Sequence, residues 1–286
     1  MRRTLLLLAG AVLALGVAGC GGGSGIGTSN GSGGLGGGVA TTRSPFRVLD
    51  LSTGLAVAVA TIDDVDTNPV YRTTRMAFRR VDVPGGQIGS GSSAVGAVLD
   101  PAAAPATVTP FYLSVFETTQ AQWQVIAGTT PWSTLASLDG SADVSIGAQY
   151  PVVGVDLGLA QAAIQTLQTA TGIQLALPSD VQWELACRGG GTGLYAWGDQ
   201  RAPAAGAAVV WETAGDVRGA RTVGGRTPNR LGLYDLHGNV WELTSESHLR
   251  GGSWNDPLVV GRAAHRADID IDTRHLLVGV RFVLVP

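Results

Sequence analysis

The chain has 286 residues, of which 19 are basic and 22 are acidic, and it contains two cysteines. This length is enough for one large domain or two small ones with a hydrophobic core. All the basic residues are arginine, which excludes Schiff-base lysines and the lysine of a phosphate-binding loop. The net charge of −3, without a basic cluster, argues against nucleic acid as a partner.

The N-terminus has the organisation of a bacterial export signal. Arg2 and Arg3 precede an apolar stretch over 4–17 and a small-residue site, VAGC, at 17–20. This stretch is too short to span a membrane and predicts a signal peptide over 1–19. Cys20 resembles the lipidated cysteine of the bacterial lipobox, although an ordinary cleavage site with an incidental cysteine is the alternative. We expect an exported chain, anchored to the cell envelope through lipid on Cys20. Since Gly21 is not a retention aspartate, the outer membrane is favoured in a cell with two membranes.

The segment after Cys20 is rich in glycine. Residues 21–38 contain eleven glycines among Ser, Thr and Asn, too little apolar surface to offset the entropy of ordering. We therefore predict a lipidated cysteine and flexible tether over 20–43. Apolar runs at 46–51 and 55–59 surround the turn residues 52–54, which predicts a β-hairpin extension over 44–75.

Regular elements are predicted mainly before Arg188. Apolar patterns at 76–83 and 108–116 indicate strands, and those at 118–127 and 156–170 indicate helices. Ser179 and Gln182 form the sequence pattern of a capping box, which predicts a helix through Cys187. Beyond Arg188 periodic runs are scarce and Gly, Pro and Asp are frequent, so we expect long irregular loops there.

Several motifs resemble the formylglycine-generating (sulfatase-modifying factor) family. They include residues 232–244 (GLYDLHGNVWELT), 250–254 (RGGSW), 177–190 (LPSDVQWELACRGG) and 279–282 (GVRF), and ordered matches run from about 76 to 282. The resemblance implies an α+β, C-type-lectin-like fold over 76–286. That fold has small sheets, two main helices and long irregular loops.

The family's oxidation chemistry requires two cysteines just after the RGGSW run. Here residues 255–261 read NDPLVVG, and no cysteine lies between 253 and 286. Carboxylate and apolar groups cannot replace the thiolates that bind copper. We therefore expect neither copper binding nor sulfatase activation. Cys187, on an earlier helix, is expected to be a core residue.

The resemblance also implies a calcium loop. Carried over by position, Asp235, Gly238, Val240 and Glu242 would supply the oxygen ligands that calcium prefers. The alternative is that Glu242 and Asn239 only accept or donate hydrogen bonds within a tight turn.

Two functional hypotheses follow. The first is a non-catalytic binding or scaffold module for a protein or glycan, with loops around 196–225 and 255–275 as the binding face. The second is an enzyme with different, cysteine-independent chemistry in the same cleft. The residues expected to line the cleft are Arg250, Ser253, Trp254, Arg262 and Arg281. The arginines would clamp an anion, or would form ion pairs with the aspartates at 268, 270 and 272.

Catalytic candidates for the enzyme hypothesis are Asp256, His265 and Arg266. Ser253, His265 and Asp268 supply the residue types of a catalytic triad, but Ser253 belongs to the RGGSW run, where we expect a structural role.

Overall fold

The computed structural model describes residues 44–90, 100–139, 143–215, 218–270 and 272–285. The predicted signal peptide, Cys20 and the tether lie outside the described residues. No helix in the described ranges is long and apolar enough to cross a bilayer.

The predicted hairpin is present and forms one edge of the main sheet. Strand β1 (Phe46–Asp50) pairs antiparallel with β2 (Leu55–Val59) around a turn in which Gly54 has φ 69°. On its other side β1 pairs with β3 (Arg75–Val81) over five residue pairs. The hairpin therefore shares a sheet with the segment that follows it, with no structural boundary between 75 and 76.

The main sheet has six strands, and all its pairings are antiparallel. Its other strands are short and come from distant parts of the chain. They are β6 (Phe111–Ser114), β7 (Leu175–Ala176) and β12 (Val283–Leu284), and the order is β2-β1-β3-β6-β12-β7. A separate two-stranded ribbon consists of β4 (Gln87–Ile88) and β5 (Ala104–Pro105).

The predicted helices begin and end where their capping residues indicate. Thr119 and Gln122 form a capping box at the start of the helix Gln120–Ala127. The Asp156 side chain accepts from Leu159 N–H at the start of the helix Leu157–Thr171. Ser179 and Gln182 form the predicted box at the start of the fourth. The helices are α1 (Gln120–Ala127), α2 (Pro131–Asp139), α3 (Leu157–Thr171), α4 (Asp180–Arg188), α5 (Ala204–Ala207) and α6 (Trp211–Ala214). Helix α2 was not predicted.

The region after Arg188 is more ordered than the sequence indicated. It contains four more strands, β8 (Trp241–Leu243), β9 (His248–Arg250), β10 (Arg266–Asp268) and β11 (Val278–Gly279). They form a second sheet in the order β10-β9-β8-β11, with β11 parallel to β8. Strands of two or three residues are too short for alternation to be visible in a sequence.

Large side chains fill the space between the sheets and helices. Trp123 and Trp183 are completely buried, as are Phe78, Leu113 and Phe282. These residues supply the apolar burial that short elements cannot provide alone. The result is the predicted α+β architecture of small sheets, helices and long connections.

Candidate functional site

An ion pair between Arg281 and Glu242 lies deep in the core. The guanidinium of Arg281 donates to both carboxylate oxygens of Glu242 at 2.7–3.0 Å, and Trp183 Nε1 donates to the same carboxylate at 2.6 Å. Arg281 also donates to the carbonyls of Ser114 and Tyr234, at 3.0 and 2.7 Å. Both charged side chains are at most 1 % exposed. The pair joins β8 to the main sheet and offers nothing to a surface ligand.

A second buried network surrounds Glu184 on α4. Its carboxylate accepts from Arg188 at 2.7 and 2.9 Å and from Arg250 at 2.7 Å. It also accepts from Gly89 N–H at 2.7 Å. Arg250 stacks over the ring of Trp183 with 5.1 Å to the centroid. These contacts tie β9 to α4, which buries Arg250 instead of placing it in a cleft.

Arg262 forms a third internal pair. Its Nε lies 2.6 Å from Asp100, whose side chain is completely buried, and His265 Nδ1 lies 3.5 Å from the same carboxylate. Burial raises the pKa of the Asp100 carboxyl, but hydrogen bonds from Arg262 and His265 outweigh burial and hold the pKa below its ordinary value. Arg250, Arg262 and Arg281 were predicted to line a cleft. That prediction is corrected, because internal carboxylates bind all three.

The segment that follows the RGGSW run is a closed turn. The Asp256 carboxylate accepts from both the N–H and the Oγ of Ser253, and Trp211 N–H donates to the Asp256 carbonyl at 2.9 Å. The other two residues of the proposed triad contact different side chains. His265 contacts Asp100, and Asp268 lies 3.4 Å from His248. The structure therefore does not assemble the triad of Ser253, His265 and Asp268.

The three catalytic candidates each have a different partner. Asp256 holds Ser253, His265 contacts Asp100, and Arg266 lies 3.6 Å from Asp180. Trp254, the remaining predicted cleft residue, is buried, and its indole Nε1–H has no hydrogen-bond acceptor in the described part of the chain.

Cys187 is a core residue, as expected. It is completely buried on α4, and burial raises the pKa of its thiol to about 12. Its sulfur lies 3.5 Å from His237 Nε2, which accepts from Ala196 N–H at 3.0 Å. His237 Nδ1 lies 2.7 Å from the Gly261 carbonyl. The imidazole is therefore neutral with Nδ1 protonated, and burial lowers its pKa to about 4. A thiol in this setting is not available as a thiolate.

The loop at 235–242 is strained and closely packed. Asp235 and Asn239 adopt left-handed backbone conformations, with φ of 59° and 61°, which are uncommon for residues other than glycine. A Cβ on Gly238 would lie 2.0 Å from the Val209 carbonyl oxygen, so only glycine fits there. Asn239 Nδ2 donates to the buried Glu117 carboxylate at 2.5 Å.

The donor set of this loop does not fit the predicted calcium site. Arg281 and Trp183 already bind the Glu242 oxygens, and Asp235 Oδ2 accepts from Gly224 N–H at 2.6 Å. Calcium requires six to eight oxygen ligands around one point. Within the described ranges no three acidic, histidine or cysteine side chains are placed to hold one metal ion. An internal guanidinium therefore supplies the positive charge at Glu242.

Burial also changes the acidity of the neighbouring carboxyls. Burial, followed by the charges of Asp235 and Glu242, raises the pKa of Glu117 well above its ordinary value. Burial raises the pKa of Asp235 to about 6, although the hydrogen bond from Gly224 opposes this. The positive charge of Arg281, which binds Glu242, acts against this rise in the pKa of both Glu117 and Asp235.

The open surface beside the RGGSW turn is a small pocket of about 210 Å³. Trp211, Arg218, Trp254 and Asn255 line it, and the Trp211 side chain is 71 % exposed. Arg218 is paired with Asp143 at 3.1 Å. Sequence reasoning placed the binding loops here but did not identify Trp211. The residues that flank Trp211 in the sequence resemble those that flank the buried tryptophans, so the sequence alone does not mark Trp211 as exposed.

Comparisons with known proteins agree with this fold. Over 113 residues the chain is 36 % identical to the formylglycine-generating enzyme of Mycobacterium tuberculosis, a match covering 36 % of each chain. Over 112 residues it is 38 % identical to the inactive C-alpha-formylglycine-generating enzyme 2 of Mus musculus, covering 32 % of this chain and 35 % of the relative. The chain thus spans about a third of the length of these curated relatives.

Solved structures share the architecture at low identity. Treponema denticola variable protein 1 superposes with a TM-score of 0.63 and 19 % identity, covering 74 % of this chain and 96 % of that one. PvdO from Pseudomonas aeruginosa gives 0.58 and 20 %, covering 73 % and 94 %. The family model of the sulfatase-modifying factor enzyme 1-like domain matches residues 65–285. The chain therefore belongs to the formylglycine-generating enzyme (sulfatase-modifying factor) family.

Proposed function

We propose that this chain is a non-catalytic binding module of its family. The observation that carries the proposal is the segment 253–262. Where the oxidases of the family need two thiolates, this chain has a turn closed by Ser253 and Asp256 and an arginine paired with Asp100. The side chains of this segment form structural hydrogen bonds and an ion pair, and none of them is a soft sulfur ligand for copper.

Cys187 does not replace the two cysteines that the oxidases of the family use. Cys187 lies in the core with a pKa raised to about 12, so it cannot serve as a nucleophile or a metal ligand at neutral pH. A relative of similar sequence is named an inactive formylglycine-generating enzyme, which is consistent with use of this fold without oxidation chemistry.

The binding face of the proposed module is the pocket at Trp211. An exposed indole beside Asn255 and the buried Trp254 offers a flat apolar surface next to hydrogen-bonding groups. Exposed aromatic residues of this kind dominate binding energies at protein surfaces. A protein or glycan ligand suits this surface.

The module is further proposed to act at a membrane. The proposal combines lipid on Cys20 with a glycine-rich tether over 20–43 and an exported location on the envelope, the outer membrane in a cell with two membranes. Mass spectrometry of the chain expressed in a bacterial host would show a lipid on Cys20, and Cys20→Ser would release the chain from membranes.

Two assays test the proposed function. In the first, the purified chain is supplied with copper(I), oxygen and a cysteine-containing sulfatase peptide, and aldehyde is measured with a hydrazide probe. We expect no aldehyde above the blank, and copper-dependent aldehyde formation would overturn the proposal.

In the second assay, wild type and variants are compared for binding to immobilised envelope polysaccharides and proteins. Trp211→Ala should weaken binding about thirtyfold, since a tryptophan anchor contributes about 2 kcal/mol. Leu55→Ala, which removes another exposed apolar side chain, should bind as wild type does. Equal loss in both variants would contradict the assignment of the face.

A further inference from the structure

The pocket at Trp211 offers a ligand one flat apolar surface. The Trp211 side chain is exposed, and none of the other exposed large apolar side chains of the described ranges lines this pocket. Its volume of about 210 Å³ is smaller than that of sites for drug-sized ligands, which measure about 300–1,000 Å³. The part of a ligand that enters the pocket is therefore about the size of a single ring.

Hydrogen bonds hold the backbone around Trp211 in place. Trp211 N–H donates to the Asp256 carbonyl at 2.9 Å. The Thr213 hydroxyl donates to the Ala208 carbonyl at 2.9 Å and accepts from Val210 N–H at 3.0 Å. The indole is thus presented from a fixed backbone, which reduces the ordering that a ligand has to impose.

The charged groups beside this indole are paired with each other. Among the described residues of the pocket wall only Arg218 is charged, and it lies 3.1 Å from Asp143. Glu212, the residue after Trp211, lies 2.8 Å from Arg201. Because each charge already has a counter-charge, the pocket favours a neutral ligand over an ion.

These ion pairs argue against a protein as the ligand. The side chains of Arg201, Glu212 and Arg218 are exposed, and a protein that covered Trp211 would cover them too. The cores of protein interfaces are depleted of charged residues, since taking an ion pair out of water is costly. A ligand with one apolar face and a rim of hydroxyl groups avoids this cost, because each hydroxyl both donates and accepts hydrogen bonds.

A sugar ring in the chair form has this combination of surfaces. When its hydroxyl groups are equatorial, its axial C–H groups form a flat apolar face that can lie on the electron-rich face of an indole. The hydroxyl groups then point outward to the polar side chains of the pocket. Asn255 is exposed there, and its side-chain amide, which makes no hydrogen bond within the described ranges, can both donate and accept.

We propose that the pocket at Trp211 binds a neutral pyranose unit of a glycan, with the ring stacked on the indole and its hydroxyl groups at Asn255 and Arg218. The proposal rests on the proposed function as a binding module and names the class of its ligand. Of the two ligand classes that suit this surface, it selects the glycan.

The test uses methyl β-D-glucopyranoside as the probe, because all its ring substituents are equatorial. Its counterparts are D-glucitol, which has hydroxyl groups but no ring, and N-acetyl-leucine-N-methylamide, which represents an apolar protein side chain. Binding of each to the full chain is measured by saturation-transfer NMR, which observes the signals of the probe. We expect both counterparts to bind at least about fivefold more weakly than the glucoside. The axial protons on one face of the sugar should receive more saturation than those on the other.

Trp211→Leu is the matched variant, because it keeps an exposed apolar side chain and removes the flat ring. It should bind the glucoside at least about fivefold more weakly, and the difference between the two faces of the sugar should disappear. Leu55→Ala, which removes another exposed apolar side chain, should bind as wild type does.

Equal binding of the glucoside and either counterpart would overturn the proposal, as would the absence of glucoside binding or unchanged binding by Trp211→Leu. If Trp211→Leu fails to fold, the comparison of the three probes on wild type decides alone. Loss of protein binding in Trp211→Ala without any sugar binding would leave the binding module standing and overturn only the glycan. Aldehyde formation with normal sugar binding would refute only the absence of catalysis.

Discussion

Arg281→Met removes the buried guanidinium and replaces it with an apolar side chain of similar length. Arg281 is completely buried and Glu242 is 1 % exposed. The substitution leaves the Glu242 carboxylate without its counter-charge and removes donors from the Ser114 and Tyr234 carbonyls. Removing one partner of a buried ion pair costs about 3–5 kcal/mol. Domains are stable by about 5–15 kcal/mol, so we expect a large part of the free energy of unfolding to be lost.

Equilibrium urea unfolding followed by circular dichroism measures this loss. The midpoint should fall while the slope of the transition stays the same, since the surface exposed on unfolding is unchanged. The double variant Arg281→Met/Glu242→Met should recover part of the loss, because it removes the unpaired carboxylate, although the Ser114 and Tyr234 carbonyls still lack their donor.

The exposed pair of Arg75 and Asp50 provides the control. Their side chains are 45 % and 26 % exposed, and exposed ion pairs contribute about 0–1 kcal/mol. Arg75→Met should therefore change the free energy of unfolding by less than about 1 kcal/mol. An equally small effect of Arg281→Met would refute the assignment of Arg281 as the counter-charge of the buried Glu242, and a double variant no more stable than Arg281→Met would do the same.

Three further predictions concern ionisable groups. Because the pKa of Asp100 is lowered on folding, its charge stabilises the protein above the unfolded value of 3.8 and loses that effect as pH falls. Asp100→Asn should cost stability at pH 7 and match wild type more closely at pH 3, measured by urea unfolding. In a Cys20→Ser chain, Cys187 should react with an aromatic disulfide reagent only after denaturant is added; rapid native-state reaction would contradict its burial. Calcium or a chelator should leave the melting temperature unchanged because Arg281 holds Glu242, and a rise with calcium would restore the predicted metal site.

Local signals predicted the early elements well. The capping box of Ser179 depends on Gln182, three residues later, and the helix that it predicted is present as α4. Such signals are complete within a short stretch of sequence, so they can be interpreted without knowledge of the fold.

The candidate site was harder to predict because its partners are far apart in sequence. Arg250 and Arg281 were expected to line a ligand cleft, where their guanidinium groups would clamp an anion. Their burial depends on Glu184 and Glu242, which are 66 and 39 residues away along the chain. The exposure of Trp211 likewise follows from the packing of other loops and not from its own neighbours in sequence.

The position of β12 sets a condition on how the protein acquires its structure. This strand follows every other described strand in the chain, yet it lies between β6 and β7 inside the main sheet. During synthesis, both neighbours present unpaired backbone edges until residues 283–284 arrive. Such edges can pair with other chains. The sheet therefore closes only after residues 283–284 have joined it, so a chaperone that shields β6 and β7 until then would increase the yield of folded protein.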